Sequence, residues 1–457
     1  MLSVIIVQSL KGMVLISAGI LLIMSALYFI LKPKKWISLY WVLLILENVL
    51  KVYINSELIE ILMYSVEIYT YIICVKCILF ASKNRCFTIN KIDIWITIFF
   101  LVSLLSSIVN FVSPKIFILG IRWFLRYISV YFIIKTENWD DIEKKRIMNF
   151  IVHTGVLQII IGFLQVISSG KIDKFLRVSD EVRNNIFSIF GTVGRYNEYA
   201  FIIVILISIL FARYQLKITK KYIYLIFSFI CLIFSYSRQA LVGILIGIII
   251  VALLDNKQKI GRRKMISIVF VITLSMSIIL SYINIEVGKG TVNDGLVSRF
   301  MSIFTKDYIE FDFNNKGRLY FMFYVNKLFL FTKPLLGYGM GMYGTEAAIS
   351  LDQSVYNLLN IPIQFSMDVF WQSVIGQVGV IGLITLIIIY SCIIKRGIIA
   401  YKSDNIIQKE IGIIVILLMV TGIIMSFFSC AMNDRYYAFM IWCFIGLLCT
   451  GDKKVQR

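Results

Sequence analysis

The chain has 457 residues, of which 59% are hydrophobic and only 16% are charged. This excludes an ordinary soluble globular protein, because too few polar residues remain to cover its surface. The formal net charge of +20 would favour a nucleic-acid partner in a soluble chain. Here, however, Lys and Arg fall mainly in short loops between apolar runs. We therefore expect no nucleic-acid partner and basic residues that set the topology of a membrane protein.

Apolar runs of about 20 residues predict an all-α polytopic integral membrane protein with about 12–14 transmembrane helices. Residues 1–457 are expected to form a single membrane domain, since no soluble domain, internal repeat or low-complexity tract is visible. The predicted spans, about thirteen by this spacing, are 12–31, 36–54, 59–81, 93–112, 116–134, 148–168, 199–213, 222–237, 239–254, 265–284, 367–394, 410–430 and 437–450.

Basic residues cluster on alternate loops, which is the pattern of a cytoplasmic side. These clusters include Lys32–Lys35, Lys144–Arg146, Lys257–Lys264 and the tail Lys453–Arg457. The C-terminus is therefore expected in the cytoplasm. The intervening loops are predicted to be extracytoplasmic, and they are 55–57, 113–115, 169–198, 285–366 and 432–436.

The loop 285–366 is the longest polar segment between predicted spans, and we expect the chemistry to take place there. Within it, Leu319–Phe331 is too short and too aromatic for a span and predicts a short amphipathic helix in the outer interface. The following Gly337, Gly339 and Gly341 allow a tight backbone that phosphate or sugar could approach closely. The alternative, that these glycines only make turns, is equally open.

Several charged residues fall within predicted spans, where an unpaired charge costs at least about 3 kcal/mol. Glu47 and Lys51 are spaced i,i+4 and can pair with each other. Arg122 and Arg126 share one helix face, so they need an anionic partner. That partner is either Glu67 or a bound anion such as a lipid phosphate.

Arg238 lies in the segment Ser235–Gly243, at a predicted outward junction of two spans. Together with Arg318 it could clamp a pyrophosphate, which suits the planar guanidinium group. The alternative is that Arg238 only extends to the membrane interface. His153 is the single histidine and is expected to be a packed residue. No metal-binding, Walker A or nucleophile-elbow motif occurs, so the sequence supports neither a metal or other cofactor nor ATP-driven transport nor hydrolysis.

Four motifs occur in order along residues 150–395, and together they resemble the O-antigen ligase and polymerase superfamily. They are Gly191–Ala200 (GTVGRYNEYA), Ser237–Ala240 (SRQA), Gly317-Arg318 followed by Pro334–Gly341 (PLLGYGMG), and Asp368–Gln372 (DVFWQ) followed by Gly376–Gly382 (GQVGVIG). The resemblance implies a GT-C-like fold in the bacterial plasma membrane, with the active site facing outside. It also implies metal-independent, inverting glycosyl transfer from undecaprenyl-diphosphate-linked sugars.

Ligase members of the superfamily carry a histidine where this chain has Asp368, so the resemblance favours the Wzy-type branch. These enzymes join oligosaccharide repeat units into capsular polysaccharide, exopolysaccharide or O-antigen. The implied donor and acceptor are both undecaprenyl-diphosphate-linked oligosaccharides, with membrane lipids and a possible chain-length regulator as further partners. The rivals are a lipid-linked oligosaccharide flippase, a ligase-type transferase to another acceptor, and a cell-wall glycan polymerase. Flippases have short loops and two similar halves, which this chain lacks.

The resemblance also implies roles for individual residues. Arg318 and Arg238 would stabilise the departing diphosphate, while Asp368 would orient or deprotonate the attacking sugar hydroxyl. The competing interpretation of Asp368 is a helix N-cap. The substrate-binding candidates are Arg195, Asn197, Arg122, Arg126, Tyr338, Gly339 and Gly341.

Overall fold

The computed structural model describes residue 28 and residues 31–54, 56–84, 87–176, 188–219, 222–254 and 306–450. The first half contains the helices α1 (Pro33–Tyr53), α2 (Ser56–Lys83), α3 (Lys91–Val109), α4 (Pro114–Leu125), α5 (Ile128–Thr136), α6 (Asp141–Ile167), α7 (Tyr196–Gln215), α8 (Ile223–Phe234) and α9 (Arg238–Leu254). The described part of the chain is all-helical, as predicted.

The second half begins with α10 (Lys306–Asn314) and continues with α11. This helix consists of Arg318–Tyr320, a π-helical turn at Phe321–Val325, and Asn326–Thr332. The remaining helices are α12 (Glu346–Ser350), α13 (Ser354–Leu359), α14 (Phe370–Tyr401), α15 (Ile406–Met425) and α16 (Arg435–Cys449). Residues 319–331 are thus helical, as predicted. The buried residues Phe321, Val325 and Phe329 line one face of α11.

Seven described helices are long and apolar enough to span a membrane, namely α1, α2, α3, α6, α7, α14 and α15. Helices α4 and α5 together are also long and apolar enough to span a membrane, but a bend of 57° separates them. The shorter apolar helices α8, α9 and α16 coincide with the remaining predicted spans. Apart from residues 28 and 31, the predicted spans 12–31 and 265–284 lie outside the described residues, as does loop segment 285–305. The chain is a polytopic membrane protein.

The most deeply buried helices, α7 and α16, form the centre of the bundle. Every residue from Glu198 to Ala212 and from Tyr436 to Cys449 is buried, as expected for helices that are apolar on all sides. Helix α15 contacts both of them and also packs against α9 and α14. Helix α2, by contrast, leaves Ile61, Ile68 and Ile72 exposed, which is the pattern of a face against lipid.

One end of the bundle is closed by polar contacts between helix termini. Lys34 Nζ lies 2.6 Å from Glu143, Arg213 Nε lies 2.6 Å from Glu410, and Asn405 donates to Asp141 at 2.9 Å. All of these residues lie in or beside loops that the distribution of Lys and Arg assigns to the predicted cytoplasmic side. The structure therefore places them at the same end. That this end faces the cytoplasm stays a prediction.

Helix α14 is broken at Gly379, whose φ of 63° and ψ of −165° are not helical. A break inside a span frees backbone groups that must find other partners. Segment 334–339 supplies them, because Val380 N donates to Pro334 O at 2.8 Å and Tyr338 N donates to Gly376 O at 2.8 Å. Gly339 N donates to Gln377 O at 2.9 Å. This part of the long loop is therefore packed among the membrane helices.

Candidate active site

A large polar cavity of about 930 Å³ opens away from the Lys34–Glu143 contact, among loops predicted to be extracytoplasmic. Its lining contains equal numbers of basic and acidic residues. They are Lys51, Arg122, Arg126, Arg195, Arg318 and Arg435, with Glu47, Glu60, Glu198, Glu346, Asp368 and Asp434. Such a mixed lining provides donors for phosphate and acceptors for sugar hydroxyls in one space.

The cavity brings together six of the predicted site residues, namely Arg318, Asp368, Arg195, Asn197, Arg122 and Arg126. Arg238, Tyr338, Gly339 and Gly341 are not among its lining residues. Arg238 begins α9 and is half-buried. The preceding Ser237 donates to Asn197 Oδ1 at 3.2 Å, which joins this junction to the cavity wall. The diphosphate clamp of Arg238 with Arg318 stays a prediction.

Arg318 and Asp368 form an ion pair at the cavity surface. Nε and Nη2 of Arg318 both donate to Asp368 Oδ2, at 3.1 Å and 2.7 Å. Their side chains are 34% and 39% exposed, so both remain accessible to a substrate. The N-cap of α14 is Val369, without a side-chain hydrogen bond. The interpretation of Asp368 as a helix cap is therefore wrong.

The start of α11 explains why a glycine precedes Arg318. Asp312 accepts a hydrogen bond from Leu319 N at 2.8 Å and so holds the first turn of α11 against α10. A Cβ on Gly317 would lie 2.3 Å from the Asp312 carboxylate, so a larger residue here would displace the Asp312 side chain. The contact between Asp312 and the start of α11 therefore fixes the position of the Arg318 backbone.

Arg195 follows a turn that two glutamines of α6 hold in place. Gln165 Oε1 accepts from Gly191 N at 2.8 Å, and Gln158 Oε1 accepts from Thr192 N at 3.1 Å. Gly191 and Gly194 have positive φ values of 58° and 81°, which explains the glycines of this motif. Arg195 itself is exposed, and no described residue forms an ion pair or hydrogen bond with its side chain. It is therefore available to a phosphate.

Glu67 pairs with both Arg122 and Arg126, so the first of the two predicted partners is present. Arg122 Nε lies 2.7 Å from Glu67 Oε1, and Arg126 Nε lies 2.8 Å from Oε2. Tyr71 donates to the same carboxylate at 2.8 Å. The Glu67 side chain is only 3% exposed. One buried carboxylate thus holds two arginines, and the group keeps one positive charge.

The Glu67→Gln variant is expected to lower the free energy of unfolding by about 1–3 kcal/mol, because it leaves two partly buried arginines without a counter-charge. Thermal unfolding of the detergent-solubilised protein measures this effect. Glu310→Gln is the matched control, since its pair with Lys306 is 3.5 Å long and highly exposed. The control is expected to change stability by less than about 0.5 kcal/mol. Equal stability of both variants would contradict a structural role for Glu67.

Sequence reasoning missed the cluster of Glu47, Glu198 and Arg435. Arg435 Nη1 donates to Glu47 at 2.5 Å, and Nη2 lies 3.5 Å from Glu198. The predicted Glu47–Lys51 pair is present at 3.0 Å, but Glu47 is shared with Arg435. The sequence feature that could have indicated this cluster is the run Asn433-Asp434-Arg435. Its two charged residues directly precede an apolar span.

Residues 223–387 match the family model described as O-antigen ligase. This segment is similar to that family, and we call it the O-antigen ligase-family domain. The match confirms the resemblance to the O-antigen ligase and polymerase superfamily and supports membrane-embedded glycosyl transfer of that type. A comparison of the chain with curated proteins gave no significant match. Arg238, Arg318 and Asp368 lie within the O-antigen ligase-family domain, whereas Arg195 precedes it and Arg435 follows it.

The glycine run of the O-antigen ligase-family domain is held by α3, α4 and α14. Gly341 N donates to Gln377 Oε1 at 2.7 Å, and Met340 N donates to Ser107 Oγ at 3.0 Å. A Cβ on Gly120 would lie 2.4 Å from Gly341 N, so the two backbones are in close contact. These contacts give Gly339 and Gly341 a packing role. The substrate-binding role of Tyr338, Gly339 and Gly341 stays a prediction.

Proposed function

We propose that this protein polymerises undecaprenyl-diphosphate-linked oligosaccharide repeat units into a capsular, exopolysaccharide or O-antigen chain on the outer face of the bacterial plasma membrane. The growing chain on its lipid carrier is the donor, and a single lipid-linked repeat is the acceptor. The transfer is inverting and requires no metal.

The observation that carries this proposal is the Arg318–Asp368 pair, which belongs to the matched domain and faces the large cavity. Arg195 lines the same cavity without an ion-pair partner among the described residues. Two guanidinium groups suit a diphosphate, because each can form two parallel hydrogen bonds to phosphate oxygens. The cavity has room for several sugar units, since pockets of about 300–1,000 Å³ hold drug-sized ligands.

The reaction replaces one bond at the anomeric carbon of the donor with another. The acceptor hydroxyl oxygen gives up its proton to a base and bonds to this carbon while the bond to the diphosphate oxygen breaks, and the diphosphate leaves with the electron pair. Negative charge on the departing diphosphate therefore rises in the transition state. Arg318 stabilises this charge, and Arg195 binds the second phosphate. Preorganised groups of this kind often provide the largest part of the rate enhancement.

A ligase acting on a different acceptor uses the same donor and the same leaving group. The aspartate at position 368 favours polymerisation, since ligases of the superfamily have histidine at the matching motif position. A flippase would move the lipid-linked unit without making or breaking a glycosidic bond. The Arg318–Asp368 pair at a cavity within a ligase-family domain favours transfer over transport.

The test inactivates the gene and analyses the lipid-linked and surface glycans. The expected result is single repeat units on the carrier or on the surface, without a ladder of longer chains. Expression of the wild-type protein should restore the ladder. An unchanged ladder in the inactivated strain contradicts the proposal. Accumulation of lipid-linked units on the cytoplasmic face would indicate a flippase, and intact ladders on the carrier with no transfer to a final acceptor would indicate a ligase.

A further inference from the structure

Asp434, which none of the predictions from sequence included, lies in the cavity wall directly before α16. Its Oδ1 atom accepts hydrogen bonds from Tyr436 N at 3.0 Å and Tyr437 N at 3.1 Å. These two bonds fix the orientation of the carboxylate. No described residue donates a hydrogen bond to Oδ2, so this oxygen is available to a group in the cavity.

The surroundings of Asp434 favour proton uptake at neutral pH. Burial, followed by the negative charge of Glu198, raises the pKa of Asp434 to about 7, against the opposing effects of the two backbone amides and Arg435. Tyr436 and Cys430 are the other titratable groups that face it. Arg435 is engaged by Glu47 and Glu198 and forms no direct ion pair with Asp434. A base with a pKa near the working pH is well suited to accept a proton from a substrate.

Asp368 is less suited to this task, because the two hydrogen bonds to its Oδ2 atom come from the Arg318 guanidinium rather than from backbone amides. Protonation of Asp368 would weaken the ion pair that orients Arg318. Both aspartates face the same space, since Asp368 and Asp434 both line the cavity. Two carboxylates in one site with different surroundings commonly have different roles.

We propose that Asp434 is the proton acceptor for the attacking sugar hydroxyl and that Asp368 is a positioning residue for Arg318. This inference rests on the proposed glycosyl transfer. As the hydroxyl oxygen bonds to the anomeric carbon, its proton passes to Asp434 Oδ2. The diphosphate leaves with the electron pair of the broken bond, so atoms and charges balance.

The decisive variant is Asp434→Asn, which keeps the side-chain shape and the helix cap, because asparagine caps helices as well as aspartate does. We expect the purified variant in lipid nanodiscs to unfold at the wild-type temperature. Its rate of polymer formation from undecaprenyl-diphosphate-linked repeat units should fall by about 10²–10⁴-fold, the usual contribution of a general base. Arg195, Arg318 and Asp368 are unchanged, so substrate binding should remain.

The matched control is Asp140→Asn. Asp140 caps α6 at the opposite end of the bundle and accepts from Glu143 N at 2.6 Å. The same chemical change there should leave the polymerisation rate unchanged. A wild-type rate in Asp434→Asn would overturn the role of Asp434 while leaving the proposed function intact. Failure of the wild-type protein to form polymer would instead contradict the proposed function.

The pH dependence provides a second readout that does not depend on the folding of the Asn variant. The rate of the wild-type protein is expected to fall below about pH 7, because protonated Asp434 cannot accept a proton. Glu198→Gln removes a charge that raises the pKa of Asp434, so the fall should move to lower pH. A wild-type rate that stays constant from pH 8 to about pH 5, or a fall that does not move in Glu198→Gln, would overturn the proposal.

Discussion

Arg318→Ala is expected to reduce polymer formation by about 10²–10³-fold, the usual cost of removing one donor that stabilises transition-state charge. Arg318→Lys should have an intermediate effect, because lysine keeps the charge but cannot form two parallel bonds to phosphate. Ladder length in the complemented strain and the rate in nanodiscs measure both effects. Arg146→Ala is the matched control, since Arg146 is exposed near the start of α6, at the opposite end of the bundle.

Asp368→Asn completes a double-mutant cycle with Arg318→Ala. If Asp368 acts by orienting Arg318 through Oδ2, the double variant should be little slower than Arg318→Ala alone. Effects that multiply would show that Asp368 contributes independently of Arg318, for example as a base. Wild-type activity in Arg318→Ala would remove this arginine from the mechanism.

Gly341→Ala is expected to prevent correct folding. Gly341 has a φ of 88°, and a Cβ there would lie 2.4 Å from Ile116 O. Backbone strain of about 1–3 kcal/mol adds to overpacking of about 1–3 kcal/mol, and together these are a large part of a typical folding free energy. The amount of monodisperse protein after solubilisation and its unfolding temperature measure the effect.

Gly155→Ala is the matched control for this variant, because its nearest neighbours are side-chain atoms of Leu206 at 3.0 Å or more. Alanine in the helical α6 should be tolerated, since it has the higher helix propensity. A Gly341→Ala protein of normal stability that binds substrate weakly would contradict the packing role. It would support the binding role predicted from sequence.

The membrane helices could be predicted from sequence because their apolar length depends only on bilayer thickness. Arg318, Asp368 and Arg195 could be selected because family motifs contain them. The Glu67 pairing could be stated as one of two alternatives, since Arg122 and Arg126, on one face of a predicted helix, cannot neutralise each other. These features depend on residue spacing within one segment, or on the rule that a buried arginine needs a counter-charge.

The features that sequence could not predict depend on contacts between distant segments. The break at Gly379 is matched to segment 334–339 of the long loop, and hydropathy shows neither the break nor its partner. Arg435 reaches the cavity only because α1, α7 and α16 come together. In the sequence, Arg435 cannot be distinguished from other charged residues that flank a span. Its carboxylate partners, Glu47 and Glu198, lie hundreds of residues away.

This last contact also bears on how the protein is made. Glu47 is inserted into the bilayer with α1, yet its arginine arrives 388 residues later, with α16. Until then Glu47 has only Lys51 and Glu198 has no arginine from α16, a costly arrangement for carboxylates near lipid. A chain that stops before α16 therefore lacks both the cavity wall and the charge that stabilises it. Synthesis through α16 is thus a precondition for a stable active site.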